Sequence, residues 1–403
     1  MGVFSSRFHV RVPLCLLLAS TTSILPTAPI AAQPLVGQQS PVSIHWSQEA
    51  LAQLIDVVAS AGQEGLHPAD YRLAALRQSA SAEEGPALDA LASAAALDLA
   101  HDYLLGRVED RSGMNWMIAR SPNETAGLAD RLRQAVATGK IREFYAGLLP
   151  SDPRYQALRS ALATSEDRVT RDRLRANMER WRWMPRAIGS DYLYVNVPSY
   201  RLQMFREGIA LASYDVVVGA KDTPTPQLLS PTDSLVVNPA WYVPTSIARK
   251  SGLRPGRGGY VWKATPDGGR RIVQLPGPHN ALGRIKFNLD NDQAIYLHDT
   301  NAKALFGRDQ RALSHGCIRV KDIDQLAADL LSQAGGDQSR FEEALASSET
   351  TTVRLPHAWP VYIVYFTTDT DESGNVVTYS DPYGYDAELL AALDGKPIEM
   401  ASS

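Results

Sequence analysis

The spacing of apolar residues changes once along this chain, near Gly189, and no fold built from a single kind of element can satisfy both halves. Upstream, apolar positions return at helix spacing. Leu51, Leu54, Ile55 and Val58 follow Ser47, a candidate cap, and stop before Gly62; Leu88, Leu91, Ala95 and Leu99 run up to Gly106. Leu128 to Val136 stops at Gly139, and Tyr155, Leu158 and Leu162 begin again after Pro150 and Pro153. Downstream, Tyr192 to Val197 is rich in β-formers, Arg201 to Phe205 alternates, Glu207-Gly208 turns, and Leu211 to Val218 runs to Gly219, the pattern of antiparallel neighbours. Ser234 to Asn238 ends at Pro239, Ile323 to Gln333 reads as a short helix, and Val361 to Thr367 with Val376 to Tyr379 reads as a hairpin about the turn-rich Asp371 to Asn375. The expectation is an α+β chain: a helical domain over 43–165, a mostly β domain over 189–368, and a hairpin strand and tail over 369–403.

Two stretches resist this scheme. Residues 166–188 carry an Arg-rich segment, with seven arginines against four acids from Glu166 to Arg186, over an apolar stripe of Leu174, Met178 and Trp181. It reads as a connecting helix whose charged face is solvated or, alternatively, touches an anionic polymer. From Pro244 to His279 the chain is dense in Gly, Pro and basic residues and reads as a long surface excursion of the kind that forms binding loops, a cap over about 244–279.

Charge sets few partners. Lys and Arg total 40 against 44 Asp and Glu, so nothing global draws the chain to nucleic acid or an anionic membrane. Residues 1–32 read as an export signal, with Arg7 and Arg11, then the apolar run Pro13 to Leu25, then the small-residue exit Ala28 to Ala32. Met1-Gly2 with Ser6 also fits an N-acylation pattern. No later stretch approaches the roughly 20 apolar residues of a membrane span, so the expectation is a periplasmic protein with no transmembrane segment once the signal is removed. Of the two cysteines, Cys15 lies within that signal, which leaves Cys317 as one thiol in an oxidising compartment where structural cysteines are usually paired.

Cys317 sits in Ser-His-Gly-Cys-Ile-Arg-Val, downstream of Tyr-Leu-His-Asp-Thr from Tyr296 to Thr300. A thiol with an unperturbed pKa of about 8.5 needs a base or a positive charge to become a nucleophile. His298, at a strand end far enough upstream for the chain to return, is the stronger base candidate; His315, two positions from Cys317, is the weaker. Asp299 is a tempting orienting group, although neighbouring strand residues point to opposite faces and a backbone carbonyl orients His298 more simply. Gly316 permits a tight turn that would aim the Gly316 and Cys317 amides at an oxyanion. Arg319 either holds a substrate carboxylate or makes a structural ion pair. A zinc site from His298, His315 and Cys317 lacks a second cysteine or a spaced ligand pair, and a purely structural cysteine stays open.

Those two motifs closely resemble the active-site signature of the L,D-transpeptidases, YkuD-type cysteine enzymes that cross-link peptidoglycan. The likeness extends to Asn177 through Trp183, Thr225-Pro226, Asn238 through Trp241, Pro276 through Gly283, Lys286-Phe287, and Glu64-Gly65-Leu66 with Asp70-Tyr71, which look like the large YcbB-type branch of Gram-negative bacteria. The resemblance implies a β-sandwich catalytic domain with a helix and loops over its cleft, Cys317 as nucleophile and His298 as proton carrier. It also implies Ser314, His315, Gly316, Arg319, Tyr296 and Trp241 as residues that line or brace the site. It implies stem peptides as substrates, a thioester, release of D-alanine and a 3-3 cross-link without cofactor or metal, with cell-wall synthesis proteins as candidate partners. An L,D-carboxypeptidase, a transferase attaching proteins or D-amino acids to peptidoglycan, and an idle peptidoglycan-binding scaffold are the alternatives. The chain departs from the branch in two places: no glycan-binding module separates Leu162 from the Arg-rich helix, and the stretch between Trp241 and Gln274 looks short.

Overall fold

A computed structural model of the chain describes residues 44–81 and 83–395, so the export segment expected over 1–32 lies outside the described residues. The helical half contains α1 (Gln48–Ser60), α2 (Leu73–Gln78), α3 (Pro86–Leu105), α4 (Leu128–Ala137), α5 (Ile141–Ala146), α6 (Pro153–Thr164) and α7 (Arg168–Trp183). Its first helix starts where a side chain can replace a missing backbone acceptor: the Ser47 hydroxyl accepts from the Ala50 amide. Its apolar positions Leu51, Leu54 and Val58 are buried. No helix among the described residues is long and apolar enough to cross a membrane.

The β half runs β1 (Tyr192–Asn196), β2 (Arg201–Arg206), β3 (Ile209–Gly219), β4 (Leu228–Val237), β5 (Trp241–Tyr242), α8 (Thr245–Lys250), β6 (Tyr260–Ala264), β7 (Arg270–Gln274), β8 (Ile285–Phe287) and β9 (Leu297–His298). It continues through β10 (Ala312–Ser314), β11 (Ile318–Val320), α9 (Ile323–Ala334), α10 (Gln338–Ala346), β12 (Thr351–Val364), β13 (Thr368–Thr370), β14 (Val376–Thr378) and α11 (Tyr385–Leu393). Nine strands form one sheet in the order β10-β3-β11-β9-β8-β4-β12-β1-β2, and β2 also pairs with β3, so the order closes on itself.

Four expectations need correction. The supposed surface excursion after Pro244 contains α8 and a hairpin of β6 on β7, which joins β5 in a separate three-stranded sheet; Tyr260, Val261 and Trp262 supplied the β-formers that the surrounding Gly and Pro obscured. The C-terminal hairpin is β13 with β14, while Val361 to Val364 ends the long central strand β12, paired to β1 and β4. The expected tail holds α11.

The fourth correction concerns α7, whose Asn177, Glu179, Arg180 and Arg182 are all fully buried. The helix is a core element. Leu174, Met178 and Trp181 pack between Tyr155, Leu158 and Leu162 of α6 and Tyr192, Tyr194, Tyr362 and Val364 of the sheet. Its charges survive burial because each has a partner. Arg182 reaches Glu179 at 2.6 Å and the Glu64 carbonyl at 2.8 Å, and Glu179 also accepts from the Val108 amide and the Trp183 indole. Arg180 reaches Asp386 of α11 at 2.6 Å, and Asn177 exchanges two hydrogen bonds with Thr367. The described residues accordingly form a single compact unit.

Candidate active site

The sheet register sets the site. Lys286 on β8 lies opposite His298 on β9, and His298 lies opposite Arg319 on β11. Cross-strand partners share a face, so these three side chains form a row. Two residues back along each chain, Tyr296 and Cys317 continue that face. Tyr296 lies against the Cys317 sulfur, and its backbone and side chain both favour the charged form of the thiol. His298, Cys317, Tyr296, Arg319, Ser314, His315 and Trp241 all line one cavity of about 590 Å³. Every site residue expected from the sequence reaches this cavity except Gly316, which is buried beneath it.

His298 is 5% exposed, and its Nδ1 lies 2.5 Å from the Asp299 carbonyl oxygen. A carbonyl can only accept, so Nδ1 carries the proton and Nε2 is left with the lone pair. Burial first, then the neighbouring Arg319, lowers the imidazole pKa to about 3, and it is uncharged at neutral pH. The backbone carbonyl is therefore the orienting group. The Asp299 carboxylate instead accepts from the Arg284 and Thr300 amides at 2.8 and 2.7 Å and pairs with Lys303. Gly283 makes room for that arrangement: its φ is +60°, and a Cβ there would stand 2.3 Å from the Asp299 carboxyl.

The half-buried Cys317 donates to the Ala294 carbonyl at 3.5 Å. Burial pushes its pKa up, and Tyr296, Lys286 and Arg319 pull it down. Thiol and imidazole both rest uncharged. Such a resting state holds no standing thiolate-imidazolium pair; a thiol and an imidazole in it can exchange a proton only as the sulfur attacks.

The turn before Cys317 is fastened from outside. Ser314 Oγ donates to the Cys317 carbonyl at 2.6 Å and accepts from the Gly316 amide at 3.1 Å. The Gly316 amide is therefore committed to Ser314, which corrects the expectation that it faces an oxyanion. Gly316 itself adopts φ +113°, a backbone that glycine alone takes easily. Thr225 Oγ1 donates to the Gly316 carbonyl at 2.6 Å and accepts from the Gly219 amide at 2.8 Å. Tyr383, from the C-terminal segment, donates to the Gly219 carbonyl at 2.7 Å and accepts from the Thr225 amide at 3.1 Å. Sequence reasoning noted Thr225-Pro226 as a motif but not this role, and nothing in the sequence around Tyr383 pointed to it.

The opposite wall is the cap. Trp241 and Tyr260 stand with ring centroids 6.5 Å apart, joined by Pro244, Ile247 and Leu253. Among the described residues no group of three or more His, Cys, Asp or Glu could hold a metal ion.

Residues 190–363 match the family described as the L,D-transpeptidase catalytic domain, YkuD, and residues 42–162 match the Scaffold domain family. A Haemophilus influenzae protein provisionally named an L,D-transpeptidase is 31% identical over 327 residues, spanning 73% of this chain and 66% of that protein. L,D-transpeptidase 1 of Mycobacterium tuberculosis shares 15% identity across 43% of this chain and 61% of its own, with a TM-score of 0.22. An L,D-transpeptidase from Mycobacterium smegmatis shares 15% across 43% and 58%, with a TM-score of 0.24. At such scores the structural likeness carries no argument.

Proposed function

Because the chain belongs to the L,D-transpeptidases, with a YkuD catalytic domain behind a Scaffold domain, we propose that it transfers peptidoglycan stem peptides through an acyl-enzyme on Cys317. The observation that carries this reading is an uncharged His298, its Nδ1 held by the Asp299 carbonyl, lining the same cavity as the thiol. In the proposed sequence, the Cys317 sulfur attacks the carbonyl of the L-centre of diaminopimelate at position three of a tetrapeptide stem, and Nε2 of His298 takes the thiol proton. With the Gly316 amide committed elsewhere, the Tyr296 hydroxyl beside the sulfur is the donor assigned to the oxyanion. The bond to the terminal D-alanine breaks, His298 returns the proton to the departing amine, and a thioester remains.

A second stem's side-chain amine then attacks the thioester, gives its proton to His298, and restores the thiol, leaving a 3-3 cross-link. One amide is made for one broken, so no ATP is consumed, which suits the proposed periplasmic setting. The test is mass spectrometry of a disaccharide-tetrapeptide incubated with the protein, beside Cys317→Ala and His298→Ala. Dimers lighter by one D-alanine, absent with both variants, support the proposal. Tripeptide without dimer makes water the acceptor and the activity a carboxypeptidase. Identical products from wild type and Cys317→Ala would sink the acyl-enzyme.

A further inference from the structure

The row that carries His298 also carries two cations that nothing in the fold answers. Among the described residues, neither Lys286 nor Arg319 makes an ion pair, although Arg180, Arg182 and Arg311, all more than four-fifths buried, each do. Lys286 Nζ stands over the Tyr296 ring, 4.5 Å from its centroid, and Arg319 Nε is buried with no hydrogen-bond partner. Both flank His298 across the strands, and both are close enough to Cys317 to feel a charge on its sulfur; Arg319 lines the cavity itself, while Lys286 lies behind the Tyr296 ring that lines it. Two partly buried cations without a counter-charge are costly to the folded protein, and an anion in the cleft would offset that cost.

We infer that Lys286 and Arg319 form a carboxylate site that reads the free C-terminus of the donor peptide. This rests on the acyl-transfer reading above and deepens it. The reach decides which carboxylate. In a peptide, the carboxyl carbon of the residue after the scissile carbonyl lies only three bonds from that carbonyl, about 4 Å away. Arg319 stands two residues beyond Cys317 along one strand face, about 6.6 Å from Cα to Cα, so its guanidinium spans to a carboxylate at that position. The side-chain carboxylates of a stem peptide are several bonds further off. The planar fork of Arg319 suits two-point recognition, and the Lys286 ammonium adds a point charge. A donor extended by a further residue, or ending in an amide, leaves both cations unanswered and is discriminated against.

The experiment compares D-alanine release from a tetrapeptide stem with D-alaninamide release from the same stem bearing a C-terminal carboxamide. Wild type is set beside Lys286→Met, Arg319→Gln and Lys286→Arg, each checked by thermal melt. Wild type is expected to favour the free acid about tenfold or more in kcat/KM, the worth of one charged hydrogen bond. The acid-to-amide ratio falls close to one in Lys286→Met and Arg319→Gln and is mostly kept in Lys286→Arg. A wild-type ratio near one overturns the inference, as does parallel loss of both donors with the ratio intact, because the cations would then serve only the thiol or the fold. A second arm needs no turnover: N-acetyl-D-alanine should slow iodoacetamide alkylation of Cys317 in wild type but not in Lys286→Met, and N-acetyl-D-alaninamide in neither. Absence of this protection overturns the carboxylate site. Absence of turnover with either donor overturns the acyl-transfer reading, while protection would still uphold the site.

Discussion

Helix α7 and the cleft beneath the cap both take arginine out of water, but only around α7 does the folded chain supply the opposite charge. Arg182 is fully buried against Glu179, and Arg180 against Asp386. At the cleft, Arg319 in its wall and Lys286 behind Tyr296 stand beside a neutral imidazole and a neutral thiol. Burial costs the ions of α7 several kcal/mol each, and the partly buried cations at the cleft less. At α7 that cost is offset within the folded chain, and the result is a fixed joint between the helical and β halves. In the cleft it is left outstanding, and the result is a surface that favours whatever anion arrives. The difference separates charge that holds a structure from charge that waits for a ligand.

The comparison breaks most sharply on the two residues assigned the chemistry. Cys317→Ala and His298→Ala should lower the rate of D-alanine release by roughly four orders of magnitude or more, as loss of a member of a nucleophile-base pair does elsewhere. A melt of Cys317→Ala within a few degrees of wild type would keep that loss on the chemistry.

Next comes the pH dependence of stability. The His298 pKa of about 3 in the folded protein lies below the roughly 6.5 of an unfolded chain. Between those values the unfolded state binds more protons, so stability rises with pH and is lost as pH falls from about 6.5 towards 3, by at most about 4–5 kcal/mol. In His298→Gln that share of the acid slope should vanish from urea titrations at stepped pH; an unchanged slope would mean His298 is not buried uncharged.

On the other side, Glu179→Ala removes the partner of a wholly buried arginine and should cost about 3–5 kcal/mol, read as a lower urea midpoint. Thiol alkylation of the molecules still folded should stay near the wild-type rate. A melt close to wild type would show that α7 does not depend on its internal pairing.

Thr225→Val tests a joint that belongs to both regions, because its hydroxyl holds the Gly316 carbonyl and accepts the Gly219 amide. Two buried backbone groups lose their partner, and about 1–3 kcal/mol of stability should go with them, together with a slower acylation of Cys317. The smallest effect belongs to Arg142→Ala, which breaks a pair with Asp56 that is 62% exposed on both sides. Its melt should shift by no more than about 0.5 kcal/mol; a larger shift would undo the contrast between paired charge in the core and paired charge in water.

Much of this was legible in the chain before any coordinates. Ser47 announced its cap, Ile323 to Gln333 its helix, and Tyr192 to Gly219 its strands, because these signals depend on neighbours within a turn or a pleat. His298 and Cys317 were legible because their motifs are short and chemically unusual. The buried face of α7 was not, since an arginine reads as solvated until Glu179 and Asp386 are seen beside it. The β6–β7 hairpin was masked by the glycines and prolines around it, and the committed Gly316 amide depends on a rotamer of Ser314 that spacing does not reveal.

By itself, then, the sequence determined most of the helical half, the first strands of the β half, and Cys317 with His298 as candidate partners, since periodicity and residue chemistry are local properties. Only the tertiary structure decided which charges are answered. Lys286, His298 and Arg319 are far apart in the chain and become a row through strand register alone, while Arg180 and Arg182 find their acids through packing. The strength of an ion pair, and the cost of leaving one unmade, depend on distance and on the water excluded around it, and both exist only once the chain has folded.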